Sequence, residues 1–358
     1  MSTYLTLDIG AGTMDMLYYD EETRVHYKAV VKSPVKRLAE EIAGLRGPIL
    51  ITGKEMGGGE IAAVLRKRVK ETQVIMSRSS AATLHHDLER VTSARIRVVD
   101  DLEAEDLRKG RAYGDLSIGD IEFERIRSIL TGFGVPFSFD VVGICAQDHG
   151  VPPKGVSHLD FRHQIFRERL DRDPMPHSLL YHAGKIPPVF SRLQAIAESA
   201  EALPARDLYL MDSGMAAILG ASMDPRARQR KRKLVVDVAT SHTIGAAMDG
   251  NEIAGFFEYH SKDITLVRLE QLLRDLADGA LNHREILVEG GHGAYIRRAY
   301  GFRAVEIIIV TGPGRSLMED SSLSIQFGAP FGDNMMTGTV GVLEAIRRSK
   351  DLPRLAYL

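Results

Sequence analysis

Apolar runs bounded by glycine, proline or acidic residues recur along the chain. They predict strands over 4–9, 16–20, 25–31, 48–52, 96–99, 139–145, 207–211, 234–238, 243–248, 253–257 and 305–310. Stretches with apolar residues three and four apart predict helices over 34–44, 59–71, 79–92, 120–131, 190–201, 213–221, 263–277, 293–299 and 338–349. Strands alternating with helices indicate an α/β fold. The proline-rich pieces "GVPPKG" and "DRDPMPH" predict a long irregular excursion over about 148–188. "LHHDLE", 84–89, reads as an exposed helix face, and "RARQRKRK", 226–233, as a solvated connection between two domains.

One coarse repeat changes this picture. "YLTLDIGAGTMDMLYYDEETRV" and "KLVVDVATSHTIGAAMDGNEI" both read strand, aspartate, small-residue loop, strand, turn, strand. Two such units suggest a duplicated core. The 358 residues, 44% of them hydrophobic, suit two domains. A net charge of −2 argues against a nucleic-acid or membrane partner by bulk electrostatics. The basic run lacks interleaved aromatics, which also argues against nucleic acid. Cys145 is the only cysteine, so this chain by itself offers neither an internal disulfide nor a cysteine-ligated zinc or iron–sulfur site. It reads as a buried, inert thiol. With no apolar run near the roughly 20 residues that span a bilayer, the expectation is a soluble, cytoplasmic protein.

The loop after the first strand carries the chemistry. Gly10, Ala11, Gly12 and Thr13 expose backbone N–H groups with little in the way, a nest for phosphate oxygens. Asp8 and Asp15 would repel phosphate directly, so Mg²⁺, often through water, is the natural mediator. The second loop runs from Asp237 to Thr243 and offers the hydroxyls of Thr240, Ser241 and Thr243. Facing each other across a cleft, the two loops would hold a triphosphate from both sides.

The first loop resembles D-x-G-x-G-T-x-D, the first phosphate motif of the actin-like superfamily of sugar kinases, acetate kinases, chaperone ATPases and actin. "VEIIIVTGPGRSLM" resembles that superfamily's adenosine motif and brings in Gly312, Pro313 and Gly314. "FGDNMMTGTVGVLEAI" resembles its final connecting helix, where Gly338 and Gly341 allow close packing. The resemblance implies a two-lobed actin-like (ribonuclease H-like) fold with a nucleotide cleft between the lobes, ATP and Mg²⁺ as cofactors, and Asp8 and Asp237 at the metal via water. It implies an N-terminal lobe over 1–230, a C-terminal lobe over 231–340 and a terminal helix over 341–358 packing back toward the first lobe.

Two further stretches resemble carbohydrate kinases of the xylulose and glycerol kinase type. "FDVVGICAQDHG" matches the loop that meets the sugar and implies Gln147, Asp148 and His149 at a substrate. "LYLMDSGMAAILGA" matches the element carrying the catalytic aspartate and implies Asp212 as general base, with helix N-capping as its alternative. The sequence departs from the superfamily at Ala239, where glycine is usual, and at Ile244, where a second acid is usual. Over its full length the chain resembles a prokaryotic family labelled as pyruvate formate-lyase activating enzymes. One cysteine does not make the cluster of a radical activase. The implied activities are a kinase for a small hydroxyl-bearing substrate, a cluster-free ATP-driven activator or chaperone-like ATPase of a partner enzyme, or a nucleotide-binding protein without turnover.

His149, His242, His260 and His292 sit in glycine- or hydroxyl-rich loops. They are either four separate polar loop residues or a convergence on the cleft, as substrate-phosphate binders or as ligands of a metal with Glu258 or Asp148. "TGKEMGGGE" is not a P-loop, because its lysine precedes the glycines. A helix starting behind Gly58 and Gly59 still favours an anion and is a candidate for the second substrate; a plain strand-to-helix turn is the alternative.

Overall fold

The computed structural model describes residues 2–355; the end of the terminal segment expected over 341–358 falls outside the described residues. The chain opens with an antiparallel meander of β1 (Thr3–Ile9), β2 (Thr13–Asp20) and β3 (Val25–Lys32). It then leaves this sheet for a separate layer of α1 (Pro34–Gly44), β4 (Ile49–Gly53), α2 (Gly59–Arg68), β5 (Val74–Ser77), α3 (Arg78–Ala81), α4 (Leu88–Ser93), β6 (Ile96–Val99), α5 (Asp101–Lys109) and β7 (Gly114–Ile118). These strands form a parallel sheet ordered β6-β5-β4-β7 over its own core of Ile49, Ile51, Met76 and Leu116.

The chain returns through α6 (Phe123–Phe133) to β8 (Phe139–Ala146), then α7 (His158–Arg172), β9 (Leu180–His182), α8 (Ser191–Ala200), β10 (Ala205–Asp212) and α9 (Ser213–Ala221). Strand β8 joins β1 in parallel and β10 joins β8, completing a sheet ordered β3-β2-β1-β8-β10-β9. A second sheet follows the same plan. It comprises β11 (Arg232–Val238), β12 (His242–Asp249), β13 (Glu252–His260), then α10 (Leu266–Asp278), α11 (His283–Val288), β14 (Gly293–Ile296), β15 (Ile307–Thr311) and β16 (Ile325–Phe327). Its order is β14-β13-β12-β11-β15-β16, again a meander whose first strand pairs in parallel with a later one. Two lobes of matching topology make the actin-like fold.

The final helix, α12 (Thr337–Ser349), crosses α9 between the two sheets and packs on β1 and β8. The crossing is tight. A Cβ on Gly220 would stand 1.8 Å from the Thr337 carbonyl oxygen, and one on Gly341 would stand 1.8 Å from that of Ala216. Only glycine admits this approach at both points.

Several elements differ from the pattern's expectation. Residues 293–299 are not a helix: β14 occupies 293–296 because the aromatic run "GAYI" pairs with the edge of β13. The helix over 79–92 is two short helices, with 84–87 a loop between them rather than an exposed helix face. The excursion over 148–188 contains the 15-residue α7, whose buried positions include Arg162 and His163, so an apolar count hides it. Helix α5 buries only Ala104, and β5, β7, β9 and β16 are too short for a clear period. The basic run is not wholly solvated: Lys233 is 2% exposed and donates to the carbonyls of Ala227 and Arg230. Among the described residues no helix is long and apolar enough to cross a membrane.

Candidate functional site

A cavity of about 730 Å³ opens where the loops of both six-stranded sheets meet. On one wall, the hairpin between β1 and β2 closes with Gly10 N donating to Thr13 O at 3.0 Å. On the other, the hairpin between β11 and β12 closes in the same way, with Ala239 N donating to His242 O at 3.1 Å. Each loop is tied by a serine that follows the third strand of its meander. Ser33 Oγ donates to Gly10 O at 2.6 Å and Ser261 Oγ to Ala239 O at 2.6 Å. The Ser33 and Ser261 amides donate to Gly12 O and Ser241 O. These latches hold the carbonyls back, leaving the N–H groups of Ala11, Gly12, Thr240 and Ser241 as the ones available to an anion. The loops touch: a Cβ on Gly12 would lie 2.7 Å from Thr240 Cγ2.

Gly10, Ala11, Thr13, Thr240, Ser241, Gly312 and Pro313 line the cavity, as do the carboxylate-bearing Asp8, Asp15 and Asp237. Three residues expected there do not. Gly12 packs against Thr240. Thr243 is fully buried and its hydroxyl pairs with Ser261 Oγ at 3.0 Å, because the strand alternation turns it into the lobe. Gly314 packs against Val238, where a Cβ would lie 2.8 Å from Cγ1. The three carboxylates share a dry space. Burial, with Asp237 and Asp212 nearby, raises Asp8 to about 7. Burial, with Asp8 next, raises Asp15 to about 8. Asp237 rises to about 6 by burial, against a hydrogen bond from Thr311 Oγ1 at 2.8 Å. Asp15 Oδ1 is buried with no hydrogen-bond partner. Gly338, in the first turn of α12, presses on Asp8, so the helix's N-terminal dipole faces that carboxylate. Clustered, unpaired acids beside loops of N–H donors fit a Mg²⁺–phosphate group.

The far end of the cavity carries different chemistry. Arg162, on α7, reaches inward and bridges two acids, Asp212 Oδ2 at 2.9 Å and Glu258 Oε2. Gln147 Nε2 donates to the other Glu258 oxygen at 2.6 Å. Burial alone would raise Glu258, but Arg162 and the His292 and His242 rings hold it well below the usual carboxylate range. The resemblance implied Asp212 as general base, with helix capping as its alternative, and the cap is present. Its Oδ1 caps α9 through Met215 N at 3.1 Å, its Oδ2 is held by Arg162, and Ser213 and Gly214 stand on the cavity wall beside it. Both oxygens are thus engaged, one of them orienting Arg162. Asp148 is likewise held, accepting from Gly150 N at 2.8 Å and Leu193 N at 3.0 Å.

His149, His242, His260 and Glu258 all line this end, and His292 is buried directly behind them. Ring centroids of His242, His260 and His292 lie 4.4–4.8 Å apart, and His149 is 6.2 Å from His242. Convergence, not four separate loops, is what the structure shows. Burial lowers His149 to about 3 and His242 to about 4, so both rings are neutral at pH 7. Gly58 and Gly59, at the start of α2, line the same cavity. Sequence reasoning missed His86, held by Glu55 and Ser191 at 3.0 Å each, and Arg192, which grips Asp120 and the Gln147 carbonyl. It also missed Arg162 and the two serine latches; the serines ending "VVKS" and "FEYHS" were the available signal.

Residues 56–317 match the sequence profile of the family described as "Putative pyruvate format-lyase activating enzyme (DUF1786)". The chain belongs to that family. The match takes in β5 to β7, the histidine cluster and the loop between β11 and β12, and stops after the Gly312 turn; α1 and β4 lie before it. This family member's only cysteine, Cys145, is fully buried beside Asp8. No curated protein matches the chain. Among solved structures, similarity extends to MreB5 of Spiroplasma citri bound to ADP, at 12% identity, 98% of each chain and a TM-score of 0.36. It extends to the ethanolamine utilization protein EutJ from Carboxydothermus hydrogenoformans, at 10% identity, 95% of this chain, 88% of that one and a TM-score of 0.35. A PilM–PilN type IV pilus biogenesis complex matches at 12% identity, 96% and 98% coverage and a TM-score of 0.38.

Proposed function

We propose that the protein binds Mg-ATP between its lobes and transfers the γ-phosphoryl group to a small hydroxyl-bearing acceptor. The observation that carries this reading is the facing pair of latched loops, Gly10–Thr13 and Ala239–His242, with Asp8, Asp15 and Asp237 converging between them. On this reading the loop amides and the Thr240 and Ser241 hydroxyls hold phosphate oxygens, and Gly312 and Pro313 support the adenosine. Asp8 and Asp237 hold Mg²⁺ through water, with Asp15 behind. The ion supplies charge neutralisation at the transferring group; the rest is positioning. The acceptor sits at the end lined by Gln147, His149, His242, Glu258 and His260, with Gly58 and Gly59 offering the start of α2.

A second reading has a specific observation in its favour. Because both Asp212 oxygens are engaged, the acceptor end lacks the base that the kinase resemblance implied. Water as the acceptor needs only positioning, which suits a cluster-free ATP-driven activator of a partner enzyme. ADP formation from ATP, measured with and without a panel of polyols and hydroxy acids, separates the two. Turnover that appears only with one small acceptor supports the kinase. Acceptor-independent turnover favours the ATP-driven activator, and absence of nucleotide binding removes both.

A further inference from the structure

Three adjacent strands of the second sheet each place a histidine at the cleft. His242 opens β12, His260 closes β13 directly opposite it, and His292 immediately precedes β14. The backbone fixes the third as firmly as the first two: His292 N donates to Glu258 O at 2.8 Å. One ring nitrogen from each of the three can be chosen so that all lie within 4.8 Å of one another. His260 Nε2 and His292 Nε2 face each other at 3.1 Å.

Facing ring nitrogens so close either share one proton or share a cation. Four-coordinate zinc bound by nitrogens about 2.0–2.1 Å away leaves ligand pairs a little over 3 Å apart; the His260–His292 pair stands near that spacing, and all three lie within 4.8 Å. Two further observations point to the cation. His242 Nε2 is buried with no hydrogen-bond partner, an orphan that a proton-sharing pair would not explain. His292 turns its other nitrogen, Nδ1, toward Glu258 Oε1 at 3.5 Å. A carboxylate behind a ligating histidine is the usual support that fixes the ring and raises its basicity. Glu258 is in turn held by Arg162 and Gln147, so the supporting carboxylate is itself anchored.

We infer that His242, His260 and His292 form a binding site for a borderline divalent transition-metal ion of the zinc type. Three imidazole nitrogens suit that class and not Mg²⁺, which takes oxygen ligands. Three protein ligands leave a fourth position open. His149 lines the same end of the cavity, its ring 6.2 Å from that of His242, and its Nδ1 is also buried without a partner. The inference stands on the histidines alone and not on the nucleotide reading.

The test uses the full chain, stripped with a chelator and titrated with Zn²⁺ in a competition assay against a chromophoric indicator, in the presence of excess Mg²⁺. The expected result is one Zn²⁺ per chain, unaffected by Mg²⁺. His260→Ala, the change at a partly exposed ring, should weaken binding at least tenfold, while His26→Ala, remote on β3, should not alter it. Co²⁺ substituted into the stripped protein should show the visible absorption of a tetrahedral site and lose it in His260→Ala. Circular dichroism and melting of the stripped variants confirm that they fold; should His260→Ala not fold, His242→Gln replaces it. Zn²⁺ binding of equal strength in wild type and in the folded variant overturns the inference, as does a lack of stoichiometric binding in wild type.

Discussion

Asp8 pairs across its hairpin with Asp15, whereas Asp237, at the matching place in the second hairpin, pairs with Ile244. The two hairpins otherwise share a frame. Each loop has four residues between its strands' last pair and its aspartate's partner, closes with the same backbone hydrogen bond and is latched by a serine after its third strand. The side chains on that frame have diverged. Thr13 faces Lys32 across the strands in the first sheet, and His242 faces His260 in the second. The difference teaches that backbone geometry and chemistry are set separately. The frame makes two loops of one shape, while the residues mounted on it make one wall acidic and the other rich in imidazole.

The largest expected effect tests the part of the frame that joins the lobes. Gly220→Ala and Gly341→Ala each drive a methyl into a backbone oxygen, at a cost of about 3 kcal/mol. That outweighs the roughly 1 kcal/mol that alanine gains over glycine in a helix. Both should lower unfolding stability by about 2 kcal/mol or more in denaturant titrations. Gly132→Ala in α6, with nothing near its Cβ, should instead stabilise by up to about 1 kcal/mol. Similar behaviour of all three would dissolve the pseudo-symmetric crossing.

Next comes Asp212. As the holder of Arg162 and the cap of α9, Asp212→Asn should slow ATP turnover by less than about tenfold, since asparagine also caps. A fall of roughly 10²–10⁴-fold with nucleotide affinity intact would mark a general base and restore the kinase assignment.

The serine latches should then act alike. Ser33→Ala and Ser261→Ala each remove one side-chain hydrogen bond, about 1 kcal/mol. A large effect at one and none at the other, in paired denaturant titrations, would break the equivalence of the loops.

Lys233 gives another break in the symmetry, standing where the first sheet has Tyr4. Burial, then Arg348, lowers its amine to about 8. The unfolded chain holds that proton to about 10.4, so between these values the folded state binds fewer protons. Stability relative to Lys233→Met should therefore rise with pH from about 8 to about 10.5, by at most about 1.4 kcal/mol per pH unit. A flat difference across that window would mean the amine stays charged.

The duplicated frame was legible because strand, aspartate and small-residue loop recur in order, and backbone needs restrict those positions strongly. The histidine convergence was visible only as two open alternatives, since the spacing of His242, His260 and His292 in the chain says nothing until β12, β13 and β14 are side by side. Arg162 was hidden for a different reason: a charged residue on a buried helix face weakens the very periodicity that announces the helix. Asp212 was placed correctly at a strand-to-helix junction, but which way its oxygens point depends on α7, which sequence reading had left irregular.

The central claim is that nucleotide phosphates and Mg²⁺ sit between the two aspartate-bearing loops. Calorimetry of ATP binding to wild type, Asp8→Ala and Asp237→Ala, with Mg²⁺ and with excess chelator, addresses it most directly. Each variant should lose about 2 kcal/mol of Mg-dependent affinity, the worth of a charged group and its partner, and the difference should vanish when Mg²⁺ is removed. Equal Mg-ATP affinity in wild type and both variants would contradict the account.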